Sequence, residues 1–242
     1  ILRNSDALVA CSQSLAMRIS TKFPDLTTNI RAIHNGFDPL AFEAERDKEA
    51  CLPAELVGVD FILNVGTFEP KKGQDLLIQA FREISNCYPE HKLVLIGRNG
   101  PVSDNLSHLA EALGLKDRVV FIKDLPHAKI APYFDAAKIF VLSSRVEPFG
   151  IVVLEAGSFG LPVIASRVGG VPEILTSPNL GALVEPDDPS MLALAMLKVL
   201  RDPEWARGIG ENLRRHVFSN FSWHKAAEKY MALLNPVLEK SG

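Results

Sequence analysis

The 242-residue chain is poor in cysteine, with only Cys11, Cys51 and Cys87, an odd and widely spaced set. These form neither a disulfide framework nor a metal cluster, and they point to a reducing compartment, expected to be the cytoplasm. Peripheral attachment to a membrane is left open by this, but no apolar run approaches the roughly 20 residues needed to span a bilayer. Charge of one sign is also lacking. Against 29 acidic side chains stand 26 lysines and arginines, dispersed along the chain, giving a net charge of −3. That excludes the electrostatic footprint of a nucleic-acid binder. There is no Gly-x-Gly-x-x-Gly and no acid closing the second predicted strand, so a dinucleotide-dependent dehydrogenase is not indicated. The stretch 66–73 lacks the Gly-Lys-Ser/Thr ending of a phosphate-binding loop. His34, His91, His108, His127, His216 and His224 show no metal spacing, Asp-x-Asp is absent, and Asp187-Asp188 between prolines reads as a turn. No metal or cofactor is expected.

What the chain does have is enough apolar content, 47%, to bury a full core. From Phe61 onward strand and helix signals alternate with short turns, which predicts an α/β fold built on a doubly wound parallel sheet. Strands are expected at Phe61–Thr67, Lys92–Gly97, Val119–Lys123, Ile139–Ser144, Pro162–Ser166 and Gly181–Glu185. Helices are expected at Gln74–Asn86, Asn105–Leu113, Ile130–Ala136, Gly150–Phe159 and Ser190–Leu200. Right-handed crossovers place those helices on both faces, and ligands of such sheets bind beyond the carboxyl ends of the strands. Ahead of this, residues 6–12 read as one short strand and Gln13–Phe23 as a helix capped by Ser12. Residues 43–59, charged and poorly periodic, read as a surface loop with a little helix. Ser222 caps a last helix running to about Glu239.

The most informative segment is Glu147-Pro-Phe-Gly-Ile-Val-Val-Leu-Glu155, two carboxylates eight positions apart across a loop-to-helix junction. The buried strand before it and the helical spacing of Val152, Val153, Ala156 and Phe159 make a strand–turn–helix unit. The first-turn amides of such a helix point outward unpaired and suit an anion, and Gly150 lets a ligand approach the backbone. One acid falls just before the helix and the other about two turns into it, placed to bracket an extended, hydroxyl-rich phosphorylated ligand. Each acid also has a plainer use, Glu147 as a helix cap and Glu155 as an exposed helix residue. The apolar neighbours of Glu155 favour a buried or cleft-facing acid, which needs a partner.

The spacing Glu-x7-Glu, with Gly160-Leu-Pro-Val-Ile-Ala-Ser166 and Gly169-Gly-Val-Pro-Glu-Ile174 behind it, resembles the donor-binding half of retaining glycosyltransferases of the GT-B fold, and family 4 in particular. Asn64-Val-Gly-Thr-Phe-Glu-Pro-Lys-Lys-Gly73, Leu93-Val-Leu-Ile-Gly97, His34-Asn-Gly-Phe-Asp38 and Phe221-Ser-Trp223 follow the same pattern in the same order. The resemblance implies a Rossmann-like donor domain over residues 36–221, preceded by the tail of an N-terminal acceptor domain and linker (1–35), and followed by a helix (222–242) that crosses back. The chain opens at Ile1 without a methionine, and about half of an enzyme is expected.

The resemblance also implies a nucleotide-diphosphate sugar as donor, a UDP-sugar first and GDP-mannose next, and transfer to a polysaccharide, glycolipid or small acceptor bound mainly by the other domain. Catalytic roles fall to Lys72, the phosphate-binding lysine, and Glu147, near the anomeric centre. Gly66, Thr67, Lys71, Lys72, Leu125, Glu147, Phe149, Gly150, Ile151, Val152 and Glu155 are the donor-binding set, with Glu155 on the ribose and the Leu125 backbone at the base. Two positions depart from the family. Thr67 stands where an arginine is common, so the diphosphate loses one cation or takes it from Lys71, and Lys123 stands where glycine is usual. Arg98 and Arg145 are further candidates for phosphate or sugar contacts, with surface solvation the favoured role of each. A nucleotide-sugar epimerase of the same fold, or a binding module inactive alone, are the alternatives.

Overall fold

The computed structural model of the chain describes residues 5, 7–26, 30–44 and 51–238. Its first unit is β1 (Leu8–Ala10), α1 (Gln13–Lys22) and β2 (Ile30–Ala32), the two strands pairing in parallel. The expectation of one strand and one helix here is corrected by β2. Three residues of Ile-Arg-Ala are too short to show alternation, and they become a strand because β1 offers an edge to pair with.

A short α2 (Pro39–Ala44) leads to the main sheet: β3 (Phe61–Val65), β4 (Lys92–Gly97), β5 (Val119–Lys123), β6 (Ile139–Leu142), β7 (Val163–Ser166) and β8 (Ala182–Val184). All pairings are parallel, in the order β5-β4-β3-β6-β7-β8. The strands are runs of Val, Ile, Leu and Phe without polar alternation because helices cover both faces. Phe61, Ile62, Leu63, Phe140 and Val141 have no exposed surface, and each such side chain contributes roughly 1.5–3 kcal/mol of burial. One face packs α3 (Gln74–Ile84), α4 (Ser103–Ala112) and α8 (Pro189–Arg201), and the other packs α5 (Ala131–Ala136) and α6 (Ile151–Ser158). The strands and helices expected from Phe61 onward are all found, with ends that differ by no more than two residues; α4 begins two residues earlier than expected and α8 is one residue longer at each end.

After the one-turn α7 (Val171–Ile174) and α8 comes an unanticipated α9 (Pro203–Asn220). Pro203 sits in its first turn, where the missing N–H costs nothing, and Asp202 caps the helix by accepting from Trp205 N at 3.0 Å. Ala206 packs in the cluster under one face, and Leu213 and Val217 in the other. The last helix, α10 (Trp223–Leu238), is capped by Ser222 as expected, and its proposed end at Glu239 lies outside the described residues. Its start abuts the early linker. A Cβ at Gly36 would lie 2.5 Å from the Trp223 Cα, and Phe37 N donates to Phe221 O at 2.6 Å.

The expected loop at 43–59 is only partly superficial. Residues 45–50 lie outside the described set, but Phe42 before them and Leu56 after them are core residues. Among the described residues no helix is long and apolar enough to cross a membrane.

Candidate functional site

The chain winds outward from β3 to β5, returns to β6 and winds the other way, so β3 and β6 are the switch point at which connections diverge and leave a crevice. The two strands share a short register, Ile62 with Ile139 and Leu63 with Phe140. Beyond it the buried Asn64 donates its side-chain amide to Val141 O at 2.7 Å, holding the strands together where the ladder ends.

After β3 the turn at 66–73 is tied down from below. The buried Gln74 donates to Gly66 O at 3.3 Å and Thr67 O at 3.1 Å. Gly73 turns with φ +62°, pressed so closely on the Ser143 carbonyl that no side chain fits. A 3-10 turn, Pro70–Lys72, lies between them and aims Lys72 across the crevice. The Lys72 Nζ donates to Glu147 Oε2 at 2.6 Å, with only 18% and 10% of the two side chains exposed. Lys71 points elsewhere and pairs with Glu69 at 2.5 Å, which holds the half-buried Glu69 carboxyl below the usual carboxylate range.

Glu147 sits on the β6–α6 connection, whose backbone is fixed at three points. Gly170 N donates to Glu147 O at 3.3 Å, and Ser12 Oγ donates to Pro148 O at 2.7 Å. The Phe149 ring, 2% exposed, lies between His34 (centroids 5.3 Å) and Phe221 (6.0 Å). The Phe149 side chain therefore belongs to the core, and contact with a ligand is left to its backbone. Gly150 has φ +101° and opens α6, with Ile151 exposed and Val152 half-buried in the first turn.

Glu155 is the fifth residue of α6, little more than one turn in rather than two, and it is 8% exposed. Its Oε1 is 3.1 Å from His127 Nε2, on the 3-10 turn His127–Lys129 after β5. Leu125, two residues earlier, is half-buried against the same core. The acids thus have separate partners, Lys72 for Glu147 and His127 for Glu155.

Arg145 is not a solvated surface cation. It forks onto Asp75 with two contacts of 2.8 Å, reaches Asp187 at 2.6 Å and donates to Pro70 O at 2.9 Å. Asp75 raises the Arg145 guanidinium above its ordinary value. Burial pushes the Asp75 carboxyl up, but Arg145 together with the backbone amides of Asp75 and Leu76 outweighs it and holds Asp75 low. This network staples the lysine turn to the loop bearing Glu147. Arg98 is exposed, as expected.

Glu173 performs a similar task for the first unit. It accepts from Gln13 N at 2.9 Å, Ser14 N at 3.0 Å and His34 Nε2 at 2.8 Å, joining α1 and the linker to the Gly169–Gly170 turn. Burial acts to raise its carboxyl, and the two helix amides with His34 overcome that and leave it low. Reading the sequence missed His127, Gln74, Arg145 and Glu173 as parts of this assembly. The signal for Glu173 lay inside the Gly-Gly-Val-Pro-Glu motif; none marked the other three. Among the described residues, no group of three or more His, Cys, Asp or Glu is placed to hold a metal ion.

A six-stranded parallel sheet wound outward from a central switch point, with a lysine turn facing a carboxylate loop and helix N-terminus there, defines a Rossmann-like domain of the GT-B glycosyltransferase type. The chain superposes on sucrose-phosphate synthase from Thermosynechococcus elongatus with a TM-score of 0.83 and 31% identity, covering 100% of this chain and 60% of that one. Residues 54–216 match the family model described as glycosyl transferases group 1, and the chain belongs to that family. It is 32% identical over 173 residues (69% of this chain, 45% of the relative) to a GDP-mannose-dependent α-(1-6)-phosphatidylinositol monomannoside mannosyltransferase of Mycolicibacterium smegmatis. The fold is also that of the Anabaena protein HepE, solved in complex with UDP and glucose, at a TM-score of 0.80 and 24% identity, covering 97% of this chain and 64% of that one. The chain spans 45–61% of the length of the first curated relatives it matches.

Proposed function

We propose that this chain is the donor-binding half of a retaining glycosyltransferase that takes a nucleotide-diphosphate sugar. The single observation that supports this most is the contact between Lys72 and Glu147 at the mouth of the crevice, beside the N-terminus of α6. In this reading the diphosphate takes Lys72 and the amides of Ile151 and Val152, approached past Gly66 and Gly150. Breaking the bond between the anomeric carbon and the diphosphate leaves the electron pair on the phosphate oxygen. A fixed ammonium and oriented amides stabilise that charge without reorganising. Glu147, released by Lys72, receives hydroxyls of the donor sugar near the anomeric centre. Glu155 accepts from the ribose diol, and the Leu125 backbone meets the base. Lys71, held by Glu69, leaves the diphosphate one cation short of the family pattern at Thr67.

The donor is a UDP-sugar first and GDP-mannose next. The Anabaena neighbour holds UDP, and the mycobacterial relative depends on GDP-mannose. Residues 1–35 are the tail of an acceptor domain and its linker, 36–221 the donor domain, and 222–242 a helix returning to the other half. The acceptor is a sugar- or lipid-linked molecule bound mainly by that half.

The test is transfer by a full-length protein containing this chain, supplied with UDP-glucose, UDP-N-acetylglucosamine and GDP-mannose. A glycoside with the donor's anomeric configuration supports the reading, and C2 epimerisation without transfer replaces it with the epimerase. The 242-residue chain alone is expected not to transfer. Positioning two reactants supplies about 7–11 kcal/mol of a barrier, and the acceptor half is needed for it. Transfer by this chain at the full-length rate contradicts that division of labour.

A further inference from the structure

Glu155 is 92% buried on an otherwise apolar stretch of α6, and among the described residues His127 is the one group hydrogen-bonded to its carboxylate. An ionised carboxylate only accepts, so the imidazole contributes the proton of this bond, whether His127 is neutral with hydrogen on Nε2 or charged. His127 is itself held: it follows Leu125 and Pro126 out of β5, and its ring lies 5.0 Å from that of Phe42, which is 6% exposed. The contact therefore spans two connections at the same end of the sheet, the one that leads from β5 and the helix that follows β6.

We infer that His127 is a positioning residue for ribose recognition, fixing the Glu155 carboxylate in the rotation that presents its free acceptor sites to the 2′- and 3′-hydroxyls of the nucleotide. The inference rests on the ribose role given to Glu155 above. A carboxylate has roughly four acceptor positions, and one bond from His127 occupies one of them and sets the plane of the others. Without it the group can turn about its last torsion, which is broad, and a diol that needs two acceptors in a fixed plane loses the pre-set geometry. His127 also follows Leu125 by two residues on the connection that leaves β5, so the residue holding Glu155 sits on the same short segment as the backbone assigned to the base. A partly exposed ion pair that served stability alone is worth about 0–1 kcal/mol and has no means of distinguishing ribose from deoxyribose.

The experiment is calorimetric binding of UDP and GDP, each against its 2′-deoxy counterpart, to the wild type and to His127→Phe, His127→Gln and His127→Ala. The phenylalanine variant keeps a ring against Phe42 and removes the donor. The glutamine variant keeps a donor. A hydrogen bond to a charged group corresponds to roughly a 10- to 150-fold preference for the ribonucleotide, which is the wild-type expectation. His127→Phe and His127→Ala are expected to reduce that preference to within about threefold, and His127→Gln to restore most of it, in proteins whose melting shows them folded. A wild type that prefers the ribonucleotide, with His127→Phe preferring it equally, overturns this inference and leaves the role of Glu155 standing. A wild type indifferent to the 2′-hydroxyl overturns the ribose role of Glu155 and this inference with it.

Discussion

Replacing Lys72 with methionine removes the ammonium and keeps most of the side-chain stem, whose Cδ runs 3.6 Å from the position a Cβ would take at Gly66. The loss then falls on Glu147, left in a loop pinned by Ser12, Gly170 and Phe149 with no cation at 2.6 Å. Breaking a fully buried pair from one side costs about 3–5 kcal/mol, but these side chains keep 18% and 10% of their surface. That remaining exposure lets water take up part of the orphaned charge and lowers the cost. We expect a loss of about 2–3.5 kcal/mol, or a melting temperature lower by roughly 5–12 °C for a chain of this size. The double variant Lys72→Met/Glu147→Gln, which removes the orphaned charge, should recover most of it. The assay is thermal unfolding by circular dichroism of the wild type and both variants at pH 7. A drop below 2 °C, or a double variant no more stable than Lys72→Met, would refute the reasoning, since the pair would then contribute nothing to the folded state.

Two further outcomes follow from the same contacts. Glu155→Ala should weaken UDP or GDP and their sugar esters alike, by roughly 10- to 100-fold, whereas Glu147→Ala should spare the bare nucleotide and weaken the sugar ester; equal losses for both ligands in both variants leave the two roles unsupported. Glu173 has its carboxyl held below the ordinary 4.5 by two helix amides and His34 working against burial, so it stabilises the fold above about pH 4.5 and that contribution disappears as pH falls through the lowered value. Glu173→Gln should therefore melt lower than the wild type at pH 6–7, by about 1–3 kcal/mol of stability, and converge with it near pH 3; a gap that persists at pH 3 contradicts the linkage.

The sheet was readable because its strands are long apolar runs between helices of clear period, and a doubly wound order follows from alternation and right-handed crossovers. What escaped was structure made by pairing and capping. β2 is three residues long and exists through β1, and α9 begins at a proline that marks a helix start as readily as an end. At the site, the lysine turn, the two acids and the helix junction could be placed because each is a local pattern. Their partners could not. His127 and Glu155 are 28 residues apart, Arg145 and Asp75 are 70 apart, and Glu173 meets Gln13 across 160. No period or spacing links such pairs, which the folded sheet alone brings together. Conversely, the linker glycine at position 36 and the terminal Phe-Ser-Trp were noted as separate features, and the structure shows them to be two sides of one contact.

The central claim is that a nucleoside diphosphate binds in the crevice between the Lys72 turn and the start of α6, with no metal needed. It is tested most directly by titrating UDP, GDP and ADP into the 242-residue chain in the presence of chelator, with Lys72→Met alongside. The account predicts saturable binding of at least one of the three at one site per chain, lost in Lys72→Met while that variant remains folded. Binding of none of the three, or binding that Lys72→Met leaves unchanged, contradicts it.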